Sequence, residues 1–139
     1  MRGVMETLGL QPDMVLVSTA KRTLQTLEAL EPWAETPLIE EMDSLYLAPA
    51  PGLLQALQQV PETVRSVLLV GHNPGLHELA VLLIGAHAMT LGNADMRRVA
   101  EAYPSGALAE FTIPRPWHEL AEGGGRLVRF VCPRDLPGS

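Results

Sequence analysis

The chain has 139 residues, of which 47% are hydrophobic and 4% aromatic, and this length and composition suit one globular domain over residues 1–139. Its net charge of -6 argues against a nucleic-acid partner, because phosphate backbones are held by clustered Lys and Arg. The single cysteine, Cys132, rules out an internal disulfide. The N-terminus lacks the apolar core of a signal peptide, and the longest uncharged stretch, 79–94, is interrupted by glycines and a histidine. We therefore expect a cytoplasmic protein with no membrane partner.

The first half of the chain alternates helical patterns with apolar strands. Residues 1–9 have the spacing of the end of a helix, and "MVLVS" at 14–18 predicts a short strand. Apolar residues at helical spacing predict a helix from Thr19 to Leu30, directly after that strand. "TPLIEE" predicts a short strand, and "PGLLQALQQV" predicts a helix with a proline before its first turn.

The second half continues the alternation and ends in strands. "SVLLV" at 66–70 is fully apolar, which is typical of a parallel strand covered on both faces. "GLHELAVLLIG" predicts a buried helix, and 93–102 is a further helical segment. "GALAEFTI" and "RLVRFV" predict two closing strands, with the glycine triplet before the second interpreted as a turn. The alternation indicates an α/β fold.

Two polar side chains follow the ends of two predicted strands. Arg22 lies one turn into the helix after "MVLVS", and His72 lies two residues beyond "SVLLV". In a parallel sheet, ligands bind beyond the carboxyl ends of strands, where helix N-termini offer free N–H groups. The pair predicts an oxyanion pocket lined also by the "GHNPG" loop, whose glycines would let a ligand approach closely. The alternative is a core histidine and an unrelated surface arginine, and the spacing leaves both open.

Three other catalytic motifs match the sequence incompletely. "STAK", from Ser18 to Lys21, fits the S-x-x-K of serine acyl enzymes, but S-D-N and K-T-G are absent. "GHNPG" has the glycine frame of the G-x-S-x-G elbow, with Asn73 in place of the serine. "HELAV" begins at His77 like the zinc motif H-E-x-x-H but ends in Val81, so it is interpreted as ordinary helix.

The remaining reactive residues are assigned no chemistry. His87 and His118 are expected in loops or on the surface, and Cys132 is interpreted as a small apolar filler. No metal site is predicted. A run of acidic residues before "SLYLAP" is interpreted as a solvated face and supplies no general acid; it comprises Glu40, Glu41 and Asp43.

Four segments carry a family resemblance: "STAKRTLQT", "VLLVGHNPGL", "YPSGALAEF" and "GGGRLVRFVCPRDL". The most specific are G-H-N-P-G at 71–75 and an S-x-x-x-R-x-x-Q-T pattern formed by Ser18, Arg22, Gln25 and Thr26. Over nearly its whole length the chain resembles the SixA-type phosphohistidine phosphatases of the histidine phosphatase superfamily, which includes phosphoglycerate mutases. The resemblance implies three layers, with helices on both faces of a mostly parallel sheet that contains one antiparallel strand.

The resemblance also implies an activity that needs no cofactor. Such enzymes hydrolyse phosphohistidine or a small phosphorylated substrate by passing the phosphoryl group to a histidine in an Arg-His-Gly motif and then to water. A second histidine and two arginines hold the phosphoryl oxygens. In this sequence the second histidine corresponds to His72 and the later of the two arginines to Arg22, both as catalytic and phosphate-binding residues, whereas the earlier arginine has no counterpart. Asn73 is expected to join His72 and Arg22 in binding phosphate.

The sequence departs from the family where the nucleophile belongs. No Arg-His-Gly motif is present, and "MRGV" at 1–4 has the arginine and glycine without the histidine. We expect an N-terminally truncated domain that lacks the central strand and the nucleophile and is inactive as it stands. The alternative is a non-catalytic α/β module that binds a phosphate-bearing ligand or partner.

The absent strand has a structural consequence. In the family fold it lies between the strands equivalent to "SVLLV" and "GALAEFTI". These two strands must pair directly, accept another chain between them, or fold poorly, because unpaired buried backbone groups are costly. We therefore expect reduced stability and self-association through the gap.

Overall fold

The computed structural model describes residues 5, 9–31, 33, 35–86, 88, 92–104 and 107–132. Within these residues the chain forms an α/β fold, which confirms the predicted class. Its elements are β1 (Met14–Ser18), α1 (Lys21–Glu28), β2 (Leu38–Met42), α2 (Ala50–Gln58), β3 (Val67–Val70), α3 (Gly75–Ile84), α4 (Ala94–Glu101), β4 (Leu108–Thr112) and β5 (Arg126–Val131). Short 3-10 helices cover Asp43–Leu45 and Trp117–Glu119.

Strand β1 is the centre of a three-stranded parallel sheet with the order β2-β1-β3. All five of its residues are buried, which explains why "MVLVS" is almost entirely apolar. Val15 is in register with Ile39 of β2 and with Leu68 of β3. Because the strands are parallel, the carboxyl ends of β1 and β3 lie at the same edge of the sheet.

Strands β4 and β5 form a separate antiparallel pair, with a register shift between Glu110 and Phe111. Among the described residues, β3 pairs with β1 alone and β4 pairs with β5 alone. Direct pairing between β3 and β4, the first of the three expected outcomes, therefore does not occur within this part of the chain.

Helix α3 links the two sheets through apolar packing. On one side Leu79 and Leu83 join the cluster that contains Leu16 of β1 and Leu53 of α2. On the other side the same helix contributes to a second cluster, which comprises Ala80, Ile84, Val99, Phe130 and Cys132. Cys132 is 1% exposed in this cluster, as predicted for an apolar filler. A third cluster lies where α1 covers β1 and β3.

Helix boundaries differ from the predicted ones for local reasons. The helix predicted from Thr19 to Leu30 begins at Lys21, because Ala20 is in an extended conformation, and ends at Glu28. Helix α4 begins after Asn93, whose side chain accepts a hydrogen bond from the Met96 N–H and so caps the helix. The predicted N-terminal helix lies outside the described residues apart from Met5 and Gly9, as do "MRGV" and His87. No helix in the described part of the chain is long and apolar enough to cross a membrane.

Candidate functional site

His72 and Ser18 join the ends of the two adjacent strands β1 and β3. The loop after β3 brings His72 Nε2 to 2.9 Å from Ser18 Oγ, on the last residue of β1. Ser18 is fully buried, whereas His72 is partly exposed. The imidazole therefore has one nitrogen anchored to the sheet at the edge where parallel α/β proteins bind ligands.

Arg22 lies at the same edge, as the second residue of α1. Its side chain is exposed. The helix begins without a side-chain cap, so the N–H groups of its first turn are available to an anion. The predicted cation, the predicted histidine and a helix N-terminus thus all follow the carboxyl ends of β1 and β3.

Asn73 holds the "GHNPG" loop to the segment after α4. Its Nδ2 donates a hydrogen bond to the Tyr103 carbonyl oxygen, 2.6 Å away. The peptide bond that follows, Asn73-Pro74, is cis. The structure thus shows a loop-anchoring contact for Asn73, and its binding of phosphate stays a prediction.

Gly75 is required by a close approach of the protein's own backbone. A Cβ at this position would lie 2.1 Å from the Ala48 carbonyl oxygen, far inside van der Waals contact. At Gly71 the nearest heavy atom would be 3.5 Å away, in the side chain of Leu76. The close approach at Gly75 is therefore made by the loop before α2, and the approach of a ligand to the two glycines stays a prediction.

That loop, residues 43–48, was not predicted to belong to the site. Thr19 Oγ1 donates to Asp43 Oδ1 at 2.7 Å, which ties the loop to the residue after β1. Leu45 is 1% exposed and anchors it in the core. The Tyr46 ring meets the His72 ring edge-on, with 5.4 Å between centroids. The apolar residues that follow Asp43 and Ser44 in "DSLYLA" were the one signal in the sequence that this acidic run continues into a packed loop. Asp43 is exposed and also anchors the loop.

The other described histidines lie elsewhere. His77 Nε2 is 2.6 Å from the Val99 carbonyl oxygen, and its ring stacks on Tyr103. His118 is exposed, with Nδ1 3.4 Å from a Glu62 carboxylate oxygen. Across the described residues no three His, Cys, Asp or Glu side chains are grouped so that they could hold a metal ion.

Tyr103 gives this region a measurable alkaline transition. Burial raises the pKa of its hydroxyl from 10.0 to about 12. A raised pKa means that the folded state binds the proton more tightly, so its contribution to stability is complete below pH 10 and is lost as pH rises toward 12. We expect the free energy of unfolding, measured by urea denaturation, to fall by up to about 3 kcal/mol between pH 10 and pH 12.

Two tyrosine variants test this assignment. Tyr103→Phe should remove most of the alkaline loss, because it keeps the ring that packs on Phe130 and deletes the ionisable hydroxyl. Tyr46→Phe is the matched control, since Tyr46 is 58% exposed, and it should leave the loss unchanged. Equal alkaline losses in the wild type and Tyr103→Phe would contradict the assignment.

Sequence comparison identifies mycobacterial relatives. No protein-family model matches the chain. An uncharacterised protein present in two strains of Mycobacterium tuberculosis is 32% identical over 123 residues, covering 88% of this chain and 74% of the relative. An uncharacterised protein of Mycobacterium leprae is 26% identical over 122 residues, covering 88% of this chain and 72% of the relative.

Structural comparison identifies the fold. A proposed phosphohistidine phosphatase SixA from Nakamurella multipartitia superposes with a TM-score of 0.82 and 24% identity, over 95% of this chain and 77% of that one. A second proposed SixA, from Agrobacterium tumefaciens, superposes with a TM-score of 0.74 and 26% identity, over 95% and 75% of the two chains. The chain has the fold of these SixA-type proteins. This likeness confirms the resemblance seen in the motifs around Ser18, Arg22 and His72, while the roles of individual residues stay predictions.

Proposed function

We propose that this SixA-type chain takes part in the hydrolysis of phosphohistidine, on a protein or in a small phosphorylated substrate, and does so in the cytoplasm. The observation that carries the proposal is the hydrogen bond between His72 and Ser18, which joins the loop after β3 to the end of β1, three residues before α1 begins. Arg22 would neutralise the phosphoryl oxygens, and His72 with the helix N–H groups would donate hydrogen bonds to them.

The nucleophile is the missing part of this chemistry. The sequence contains four histidines, and none follows an arginine in an Arg-His-Gly or Arg-His-Ala motif. Family chemistry would break the phosphoryl bond of the substrate and form a bond to a histidine nitrogen, which water then cleaves. We propose that residues 1–139 alone bind the phosphoryl oxygens of a substrate and do not catalyse its hydrolysis.

A second candidate is a non-catalytic module that binds a phosphate-bearing ligand through Arg22 and His72. It is favoured by the positions of His77 and His118, both of which contact groups away from His72. Added imidazole separates the two candidates, because it can replace an absent histidine as the phosphoryl acceptor. Imidazole-dependent hydrolysis of an aryl phosphate, lost in Arg22→Ala, would support the phosphatase, and its absence alongside phosphate binding would support the module.

The oxyanion site itself is tested by titration with phosphate and vanadate. Arg22→Ala should weaken binding about tenfold or more, because a charge-assisted hydrogen bond contributes roughly 1.5–3 kcal/mol. Lys21→Ala is the matched control: it removes an equal charge from the adjacent exposed position of α1, which faces another direction. Equal losses in the two variants would mean that binding is only a response to net charge and would contradict the site.

We propose in addition that the chain associates with copies of itself through the edge of β3 that has no strand partner among the described residues. Strand edges with free N–H and C=O groups are templates for pairing with another chain. The support for this proposal is that β3 and β4 belong to different sheets in the described residues.

A further inference from the structure

The hydroxyl of Ser18 has a restricted set of partners. The residue is 0% exposed, so bulk solvent does not reach its side chain. Its Oγ accepts a hydrogen bond from the Ala20 N–H at 3.3 Å and lies 2.9 Å from His72 Nε2. A hydroxyl has one proton to donate and two lone pairs to accept with. Within the described residues, the His72 nitrogen is the acceptor placed to receive that proton.

This arrangement selects between the two neutral forms of the imidazole. If Nε2 carried the ring proton it would donate to Ser18 Oγ, and the buried Ser18 proton would be left without an acceptor. Leaving a buried donor unsatisfied disfavours that form by about tenfold. In the opposite form Ser18 donates to Nε2, and the neutral ring then carries its proton on Nδ1.

We propose that Ser18 is a positioning residue that holds His72 as the Nδ1–H tautomer, so that the neutral imidazole offers an N–H donor to a phosphoryl oxygen. The proposal rests on the function proposed above for His72. The edge-on contact with Tyr46 supports it, because packing against the ring opposes the flip that would exchange the two nitrogens. His72 then acts as a hydrogen-bond donor without having to bind a second proton.

Thr23 provides a matched control for Ser18. It is also buried, at 4% exposure, and its hydroxyl donates to the Ser18 carbonyl oxygen at 2.8 Å. Thr23→Val therefore removes a buried hydroxyl from the same turn and leaves Ser18 Oγ and His72 in contact. Ser18→Ala removes the hydroxyl that bonds the ring. A general effect of losing a buried hydroxyl would appear in both variants.

The decisive measurement is the nitrogen-15 spectrum of His72 in the ligand-free chain, at a pH where imidazole is neutral. We expect a protonated Nδ1 and an unprotonated Nε2 in the wild type and in Thr23→Val. In Ser18→Ala we expect a mixture containing the Nε2–H form, and in Ser18→Thr a return to the Nδ1–H form. A wild-type spectrum with the proton on Nε2 would overturn the proposal. This test uses the wild type alone, so it does not depend on whether any variant folds.

Phosphate titration links the tautomer to binding. Ser18→Ala should weaken inorganic phosphate binding by about threefold to tenfold, whereas Thr23→Val should stay within about twofold of the wild type. Equal losses in both variants would contradict the positioning role. Absence of phosphate binding in the wild type, with Nδ1 protonated, would refute the proposed function and leave the Ser18–His72 assignment standing. Phosphate binding by a wild type with Nε2 protonated would refute the Ser18–His72 assignment and leave the proposed function standing.

Discussion

Replacing Gly75 with alanine is expected to destabilise the fold by about 3 kcal/mol, because the new Cβ would fall 2.1 Å from a backbone oxygen. That oxygen, on Ala48, cannot turn aside as a side chain would. Its residue is held by a hydrogen bond from the Ala48 N–H to the Leu45 carbonyl, and Leu45 is buried in the core. The strain must therefore move the loop or the start of α3, which follows His72.

Gly52→Ala is the matched control, and urea denaturation is the measurement. Gly52 lies inside α2, and an added Cβ would meet its nearest atom at 3.6 Å, an ordinary contact. We expect Gly52→Ala to leave the free energy of unfolding unchanged or to raise it by up to about 1 kcal/mol, since alanine is the better helix former. In Gly75→Ala the displaced loop carries Tyr46, so oxyanion binding should weaken as well. A Gly75→Ala variant as stable as the wild type would show that the two segments separate easily.

Placing a lysine at the edge of β3 is expected to turn an associating chain into a monomer. Leu68 is partly buried on β3, and pairing with a second chain would bring it against an incoming strand. A charge at a strand edge opposes such pairing because it would have to be desolvated. We therefore expect sedimentation velocity to show concentration-dependent oligomers for the wild type and mainly monomer for Leu68→Lys.

Ile39→Lys is the control for the opposite edge of the same sheet. Ile39 and Leu68 are both in register with Val15, so the two lysines would lie at the same height and on the same face. Ile39→Lys should still associate if β3 is the interface. Association lost in Ile39→Lys and retained in Leu68→Lys would assign the interface to β2 instead. A wild type that is monomeric at all concentrations would contradict self-association, and circular dichroism would verify that both variants are folded.

The sequence by itself determined the elements and the fold class of this protein. An apolar run such as "MVLVS" becomes a strand because its side chains are buried on both faces, and α3 is almost entirely apolar because it packs against a core cluster on each of two sides. These patterns extend over a few residues and can be read directly. The motifs at Arg22 and "GHNPG" are local as well. The sequence alone therefore predicted both the edge of the sheet at which a ligand would bind and the resemblance to the SixA-type family.

The tertiary structure decided which groups meet at that edge. Thr19 and Asp43 are 24 residues apart, and Ser18 and His72 are 54 apart, so no periodicity within a strand or helix can indicate either contact. The tautomer proposed for His72 depends on one buried hydroxyl, and the need for glycine at 75 depends on the path of the backbone at Ala48. Such contacts arise when separate elements pack together, because packing sets distances between side chains that local sequence patterns do not contain.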